Sequence, residues 1–495
     1  MARKISLLLA VSSVLWMAAC GSGGGGSNTS TITSVSVSCS PTTVTSGATS
    51  QCTANVSGTG SFTSAVTWSA SAGTISSSGL FTAPTTDATL LVTVTATSVQ
   101  DNTKSGSTTI TVNPSTGASN VQPLIVDQGP EPQTFLATNQ AFVSVTVCVP
   151  GTNTCQTIDH VEVDTGSSGL RLLASALTIS LPQNNDSQGH PMDECLVFLD
   201  GYVWGPVASA DISMAGELAP NTPIQLIIPS TSSPPVPGTC SGQTTGPDEG
   251  DSVQALGANG IIGVGLFQTD CGQYCVTNAG PDFYVYYDCP ASGCSPTTAT
   301  LAQQVPNPVI NFTGDNNGVL IQLGSVGNGG AASVNGSLIF GIGTQSNNGL
   351  GSATVYAVPD SGSNAGDFTT IYKGTSTPGF VDSGSNGYFF ADSSIPNCPS
   401  PNQVWFCPTT SPDNLSAQNQ GTNMGSPVTS NFTLEDASTL FNGNNVAFST
   451  LGGSYPTSQS GTAFDWGLSF FFGKNIFTAI DGGNTPGGTG PYIAF

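Results

Sequence analysis

Asp164-Thr165-Gly166-Ser167 and Asp382-Ser383-Gly384-Ser385 are one tetrapeptide pattern written twice, each copy preceded by a valine and followed by apolar residues. Its doubling within one domain-sized region, on similar strand-like backgrounds, points to a duplicated half-domain that brings two carboxylates together. In each turn the glycine permits a tight backbone path and exposes amide N–H groups near the carboxylate. The hydroxyls at Thr165, Ser167, Ser383 and Ser385 can bond to the opposite loop or to the aspartate oxygens. Two carboxylates held that close cannot both ionise comfortably, so they share a proton, one acting as base on a water while the other donates to a carbonyl.

Composition bounds the rest. Abundant Ser and Thr with 61 Gly and 33 Pro favour many short strands over helices, and a hydrophobic content of 37% supports a sizeable core rather than a disordered chain. The six basic residues face 29 acidic ones. Arg3 and Lys4 fall in the N-terminal leader, so the remainder keeps only Lys104, Arg171, Lys373 and Lys474. So small a supply of cations excludes nucleic acid, whose binding needs phosphate neutralisation, as a partner.

The leader reads Arg3-Lys4, an apolar run from Ile5 to Met17, then Ala18-Ala19-Cys20, a signal over residues 1–20 too short to span a membrane. Small residues before Cys20, with Gly21-Ser22 and a glycine tract after it, resemble the cleavage site of bacterial lipoproteins, where the cysteine is lipidated. Met17 stands where leucine is usual. With no Asp after Cys20, the resemblance implies a cell-envelope protein of the outer membrane, periplasmic or surface-exposed, touching the membrane through its lipid anchor alone. An ordinary secretory signal with a coincidental cysteine is the plainer alternative.

The twelve remaining cysteines cluster as local pairs, which in an exported chain reads as disulfides: Cys39/Cys52, Cys148/Cys155, Cys195/Cys240, Cys271/Cys275, Cys289/Cys294 and Cys398/Cys407. Cys271 and Cys275 could instead bridge across to Cys289 and Cys294. A zinc site is the rival for such spacing, but no histidine neighbours these cysteines.

After a Gly/Ser tether at 21–31, residues 32–113 carry alternating β-branched runs separated by turns, the pattern of a small antiparallel sandwich. Val66-Thr67-Trp68-Ser69, Gly79-Leu80-Phe81-Thr82-Ala83-Pro84 and Val92-Thr93-Val94-Thr95-Ala96-Thr97-Ser98 resemble bacterial immunoglobulin-like domains of the invasin and intimin type. The resemblance makes Trp68 the core tryptophan and Cys39–Cys52 a staple between the first strands. Residues 114–120 form a linker, and 121–495 read as one β-rich domain with lobes at about 121–300 and 301–495. The fold class is therefore all-β, a sandwich followed by a two-lobed domain.

Residues 121–495 resemble a pepsin-type, two-lobed aspartic peptidase, and more narrowly a family of secreted bacterial proteins whose domain of unknown function is built on that fold. Besides the two Asp motifs, the likeness rests on Asn259-Gly260-Ile261-Ile262-Gly263, Gly336-Ser337-Leu338-Ile339-Phe340-Gly341, and the closing stretch from Trp466 through Phe477-Thr478-Ala479-Ile480-Asp481 to Phe495. The resemblance implies Asp164 and Asp382 as the catalytic pair and Thr165, Gly166, Ser167, Ser383, Gly384 and Ser385 as their supports. It also implies a peptide or protein substrate, a monomer, and neither cofactor nor metal. Two departures stand out: the second apolar-apolar-Gly element reads as ending in Ser469, and no Tyr-Gly-Thr-Gly flap is present. Spacing puts the flap near Phe198-Leu199-Asp200-Gly201-Tyr202, with Phe198 in the tyrosine's place and Tyr202 or Trp204 as substitutes.

Other chemistries fall away. His160 and His190 are the only histidines, and there is neither a His-Glu-x-x-His pair nor a Gly-x-Ser-x-Gly elbow. His160 reads as a strand residue facing solvent, and Gly314-Asp315-Asn316-Asn317-Gly318 as a hairpin turn rather than a calcium loop. Three readings remain: an exported, lipid-anchored aspartic endopeptidase, a catalytically silent binding module on the same fold, and a cell-surface adhesin.

Overall fold

The computed structural model describes residues 30–495 apart from 46–47, 85–88, 114–119, 135, 187, 199–200, 230–234, 244–249, 281–284 and 456–461. The signal, Cys20 and the glycine tether lie outside the described residues. The chain divides into two compact units between Thr116 and Gly117.

In the first unit, strands Thr31–Ser40, Thr49–Thr59, Leu80–Thr82 and Thr74–Ile75 form one sheet, and Thr43–Thr45, Ser105–Asn113, Leu90–Ser98 and Val66–Ala70 a second. Their inner faces meet in two apolar clusters, one in which Phe81, Val92, Val94, Ile110 and Val112 have no exposed surface and one around Ile32, Val35, Val56 and Ala96. Cys39 and Cys52 lie directly opposite one another on paired strands and form a disulfide. Trp68 is only partly buried and packs against both clusters. Phe81, not the tryptophan, fills the centre, because Trp68 sits on the sheet's outermost strand.

The second unit is built on strand alternation. In Ala141–Cys148, Val143, Val145 and Val147 point into the core while Ser144 faces out, the two-residue period of a half-buried strand. A 15-stranded sheet runs through both lobes. Val121–Val126 is its hinge, pairing with Ala141–Cys148 of the first lobe on one side and with Val334–Phe340 of the second on the other. A 7-stranded sheet completes the second lobe around strands Thr375–Val381, Phe464–Trp466 and Tyr388–Phe390. Asn307 and Asn311 hydrogen-bond back to Gly265 and Thr222, so the first lobe's packing continues through Asn311. The fold class is all-β, and no described helix is long and apolar enough to cross a membrane.

All twelve described cysteines form local disulfides. Besides Cys39–Cys52 these are Cys148–Cys155, Cys195–Cys240, Cys271–Cys275, Cys289–Cys294 and Cys398–Cys407, so the crossed arrangement of the middle four cysteines is not formed. The last bridge has unlike ends. Cys398 is buried in an apolar cluster with Leu440 and Phe448, whereas Cys407 is only partly buried and meets polar neighbours: its Sγ lies 3.3 Å from Ser438 Oγ and 3.4 Å from Asp436 Oδ1. Cys407 therefore closes the loop from Cys398 at the edge of the core and is not a core residue itself. Six disulfides fit an oxidising compartment outside the cytoplasm.

Asp315 is buried and accepts hydrogen bonds from the side chains of Thr344 and Gln345, as an internal brace. His160 departs from the solvent-facing reading. It takes a left-handed backbone (φ 47°) beside a strand irregularity, and its ring packs edge-on against Phe142 and pairs with Asp127 at 3.4 Å.

Candidate functional site

Two copies of one strand arrangement carry the aspartates. In the first lobe, Cys155–Asp164 runs parallel to Gly260–Val264, with Asp164 opposite Gly263, and the chain returns as Ser168–Leu173 antiparallel to the same strand. In the second, Thr375–Val381 runs parallel to Phe464–Trp466 and Tyr388–Phe390 returns antiparallel to it. Each aspartate therefore sits at the C-terminal end of a strand that becomes buried towards that end, where the turn must leave the sheet. The following glycine lets it do so: Gly166 N–H donates to Asp164 Oδ1 at 2.7 Å, and Gly384 N–H donates to Asp382 Oδ1 at 2.8 Å. A Cβ on Gly166 would lie 2.7 Å from the Asp382 carboxyl carbon, and one on Gly384 would lie 2.9 Å from Asp164 Oδ1. Only glycine fits between each loop and the opposite carboxylate.

The loops are locked by a reciprocal set of hydrogen bonds. Thr165 N–H donates to Ser383 Oγ at 3.1 Å, and Ser383 N–H donates to Thr165 Oγ1 at 2.9 Å. Each hydroxyl in turn donates to the strand before the opposite aspartate, Thr165 to Val381 O at 3.2 Å and Ser383 to Val163 O at 2.6 Å. The outer hydroxyls complete the pattern: Ser167 donates to Asp164 Oδ2, and Ser385 donates to Asp382 Oδ2 at 3.1 Å. Donors thus satisfy the outer carboxylate oxygens, and the two carboxyls hydrogen-bond to one another. Burial holds the Asp382 carboxyl well above the usual carboxylate range, the charge of Asp164 adds to this, and Asp465 adds further. The pair therefore shares a proton.

The carboxyls open on a cleft of about 1370 Å³ lined by both lobes. Among the described residues no cysteine lines it, so Cys407 and the other bridged cysteines are scaffold and not part of the site. Residues 116–495 match the family described as "Protein of unknown function (DUF3443)". The chain belongs to that family. Among solved structures it is similar to the aspartic proteinase from Irpex lacteus, with 16% identity, 76% of this chain and 96% of that one covered, and a TM-score of 0.45. No curated protein matches it.

In this DUF3443 domain the hairpin of Met192–Val197 and Tyr202–Met214 closes with Phe198 N–H donating to Gly201 O at 2.8 Å. Phe198 and Tyr202 line the cleft, whereas Leu199 and Asp200 lie outside the described residues. Trp204 is not a flap residue. It is buried beside the Cys195–Cys240 disulfide and packs edge-on against Tyr287 at 5.0 Å.

The second apolar-apolar-Gly element is also corrected. The parallel register pairs Val381 with Trp466, and Asp382 N–H donates to Trp466 O, so the residue matching Gly263 is Gly467 and not Ser469. The element reads Asp465-Trp466-Gly467. Ser469 has a different role: its hydroxyl donates to the carbonyls of Phe448 and Leu451 and accepts from Asn139 Nδ2, tying the lobes together below the loops. A Cβ on Gly467 would lie 2.2 Å from Gly387 O and 2.6 Å from Ser385 O. Gly467→Ala should therefore cost about 1–3 kcal/mol by overpacking, read as a lower midpoint in urea unfolding.

Sequence reasoning missed a buried ion cluster behind the first Asp loop. Arg171, three residues beyond Ser168 at the end of that loop, has no exposed surface and contacts Glu194 at 2.5 Å and Asp270 at 3.2 Å. It also donates from Nη1 to Ser168 O at 2.8 Å. Tyr286 donates to Asp270 and accepts from Val305 N–H. Burial, then Glu194, pushes Asp270 well above the usual range, and Arg171 only partly opposes this. The only signal in the sequence was the single arginine beyond the leader, in a chain almost without cations.

Proposed function

We propose that residues 117–495 are an aspartic endopeptidase that hydrolyses peptide bonds with the Asp164/Asp382 pair and an activated water. The observation that carries this reading is the reciprocal locking of two Asp-[Thr/Ser]-Gly-Ser loops, which holds two proton-sharing carboxyls together at the floor of a cleft. One of the two carboxyls is the base that takes a proton from the water, and the other donates the shared proton to the substrate carbonyl oxygen. The amides of Gly166 and Gly384 and the hydroxyls of Ser167 and Ser385 fix both carboxyls in place, so little reorganisation is needed as charge moves. The hairpin bearing Phe198 and Tyr202 is the element that covers an extended peptide. In the whole chain the first unit is a stalk of the immunoglobulin-like type, and lipidated Cys20 anchors the monomer at the outer membrane through the tether.

A second reading, a peptide-binding module without turnover, is favoured by Phe198, which brings no hydroxyl to the hairpin tip. The pH dependence of turnover separates the two. The shared proton is needed for reaction and is lost as pH rises through the pair's upper apparent pKa. Because that value is raised by burial and by the neighbouring charge, activity on a peptide library should persist above the ordinary aspartate range near pH ~3.9 and then fall towards neutrality. A pH–rate profile with pepstatin tests this: an alkaline optimum together with insensitivity to that transition-state mimic would reject the mechanism.

A further inference from the structure

The cleft is acidic to an unusual degree. Its lining includes Glu162, Asp164, Asp270, Asp367, Asp382 and Asp465, and among the described residues no Lys, Arg or His lines it. The catalytic pair accounts for two of these acids and the Arg171 cluster holds a third. Glu162 and Asp465 belong to neither, although Asp465 neighbours the pair through a hydrogen bond with Ser385, and they occupy related places. Glu162 lies two residues before Asp164 and pairs in register with Ile261, and Phe380 lies two residues before Asp382 and pairs with Asp465. Each register pair thus holds one acid and one apolar residue, in exchanged order, on either side of the dyad. An apolar side chain fits the place where Asp465 stands, since Ile261 fills its counterpart, so packing does not demand the acid.

Strand alternation turns Asp465 to the cleft face, because Phe464 and Trp466 on either side of it stack together in the aromatic core at 4.5 Å. Asp465 is 1% exposed, and its Oδ1 has no hydrogen-bond partner. A buried carboxyl oxygen left unpaired is costly, and a cation beside it removes the cost. Phe380 and Phe389 are its cross-strand neighbours and line the same cleft, an apolar wall against which the aliphatic stem of a long basic side chain can lie. Burial keeps Asp465 well above the usual carboxylate range in the free protein.

We infer that the cleft selects cationic peptides, seating a lysine or arginine side chain on Asp465 to one side of the dyad and a second basic side chain on Glu162 to the other. This deepens the peptidase reading and rests on it for the position of the scissile bond, but the binding preference is measurable without turnover. Two fluorescent decapeptides, identical except for a central Lys-Lys or norleucine-norleucine, are titrated against the full chain carrying Asp164→Asn. The Lys-Lys peptide should bind about tenfold tighter or more. Adding Asp465→Asn or Glu162→Gln should each reduce that ratio, and together bring it near unity. Asp465→Ile, chosen after Ile261, repeats the test should the asparagine variant fold poorly. Equal affinities for the two peptides, a lysine preference that survives both substitutions, or no binding of either peptide would overturn the inference. Cleavage of both peptides by the unsubstituted protein, followed in parallel, separates the two claims. A lysine preference without cleavage rejects only the peptidase reading, and cleavage without a lysine preference rejects only this one.

Discussion

Replacing Asp382 with asparagine should lower kcat/KM on any cleaved peptide by about 10³-fold or more, the scale of removing a positioned acid or base. The fold should be kept. Asparagine keeps an oxygen to accept from Gly384 N–H, its amide can donate to Ser385 Oγ in place of the bond that hydroxyl gave, and the loop lock runs through Thr165 and Ser383, not through the carboxylate. The change removes the proton that the pair shares and one of the two carboxyls that move it. The loss should therefore fall on kcat with KM nearly unchanged, which steady-state kinetics on a defined peptide measures. A loss confined to KM would mean that Asp382 only binds substrate.

Arg171→Leu should have the largest effect on stability, about 3–5 kcal/mol, because it leaves Glu194 and Asp270 buried around a vanished charge. It also removes the donor to Ser168 O at the end of the first Asp loop, so the damage reaches the aspartate pair. Arg171→Leu with Glu194→Gln should recover a large part of the loss, since one buried carboxylate goes with its partner. Urea unfolding of the three proteins, compared as a double-mutant cycle with Glu194→Gln alone, reads the coupling. Additive effects would mean that the cluster does not act as a unit.

The Asp loops were legible in the sequence because their chemistry is local: each tetrapeptide contains its own aspartate, its glycine and its hydroxyls. The closing stretch was legible through its resemblance to the family. What failed was register. Trp466-Gly467 and Leu468-Ser469 stand among the same apolar residues, and only the parallel pairing of Val381 with Trp466 decides which matches Gly263. With that register comes Asp465, which the sequence reading did not single out. The Arg171 cluster was out of reach because Glu194 and Asp270 join it from distant parts of the chain. Trp204 failed because spacing cannot tell where a hairpin leaves the rim of a cleft: two residues beyond Tyr202 it is already packed on Tyr287. Trp68 failed on the same ground, since its place on an outermost strand is a property of sheet order.

The central claim, that two locked carboxyls activate water on a peptide, is tested most directly by digesting denatured casein and a mixed peptide library from about pH 3 to 7 with the full chain and with its Asp164→Asn variant. The account predicts new peptide ends from the unsubstituted protein, most abundant on the acid side, and none above background from the variant. Equal digestion by the two proteins, or none by either at any pH, would contradict it.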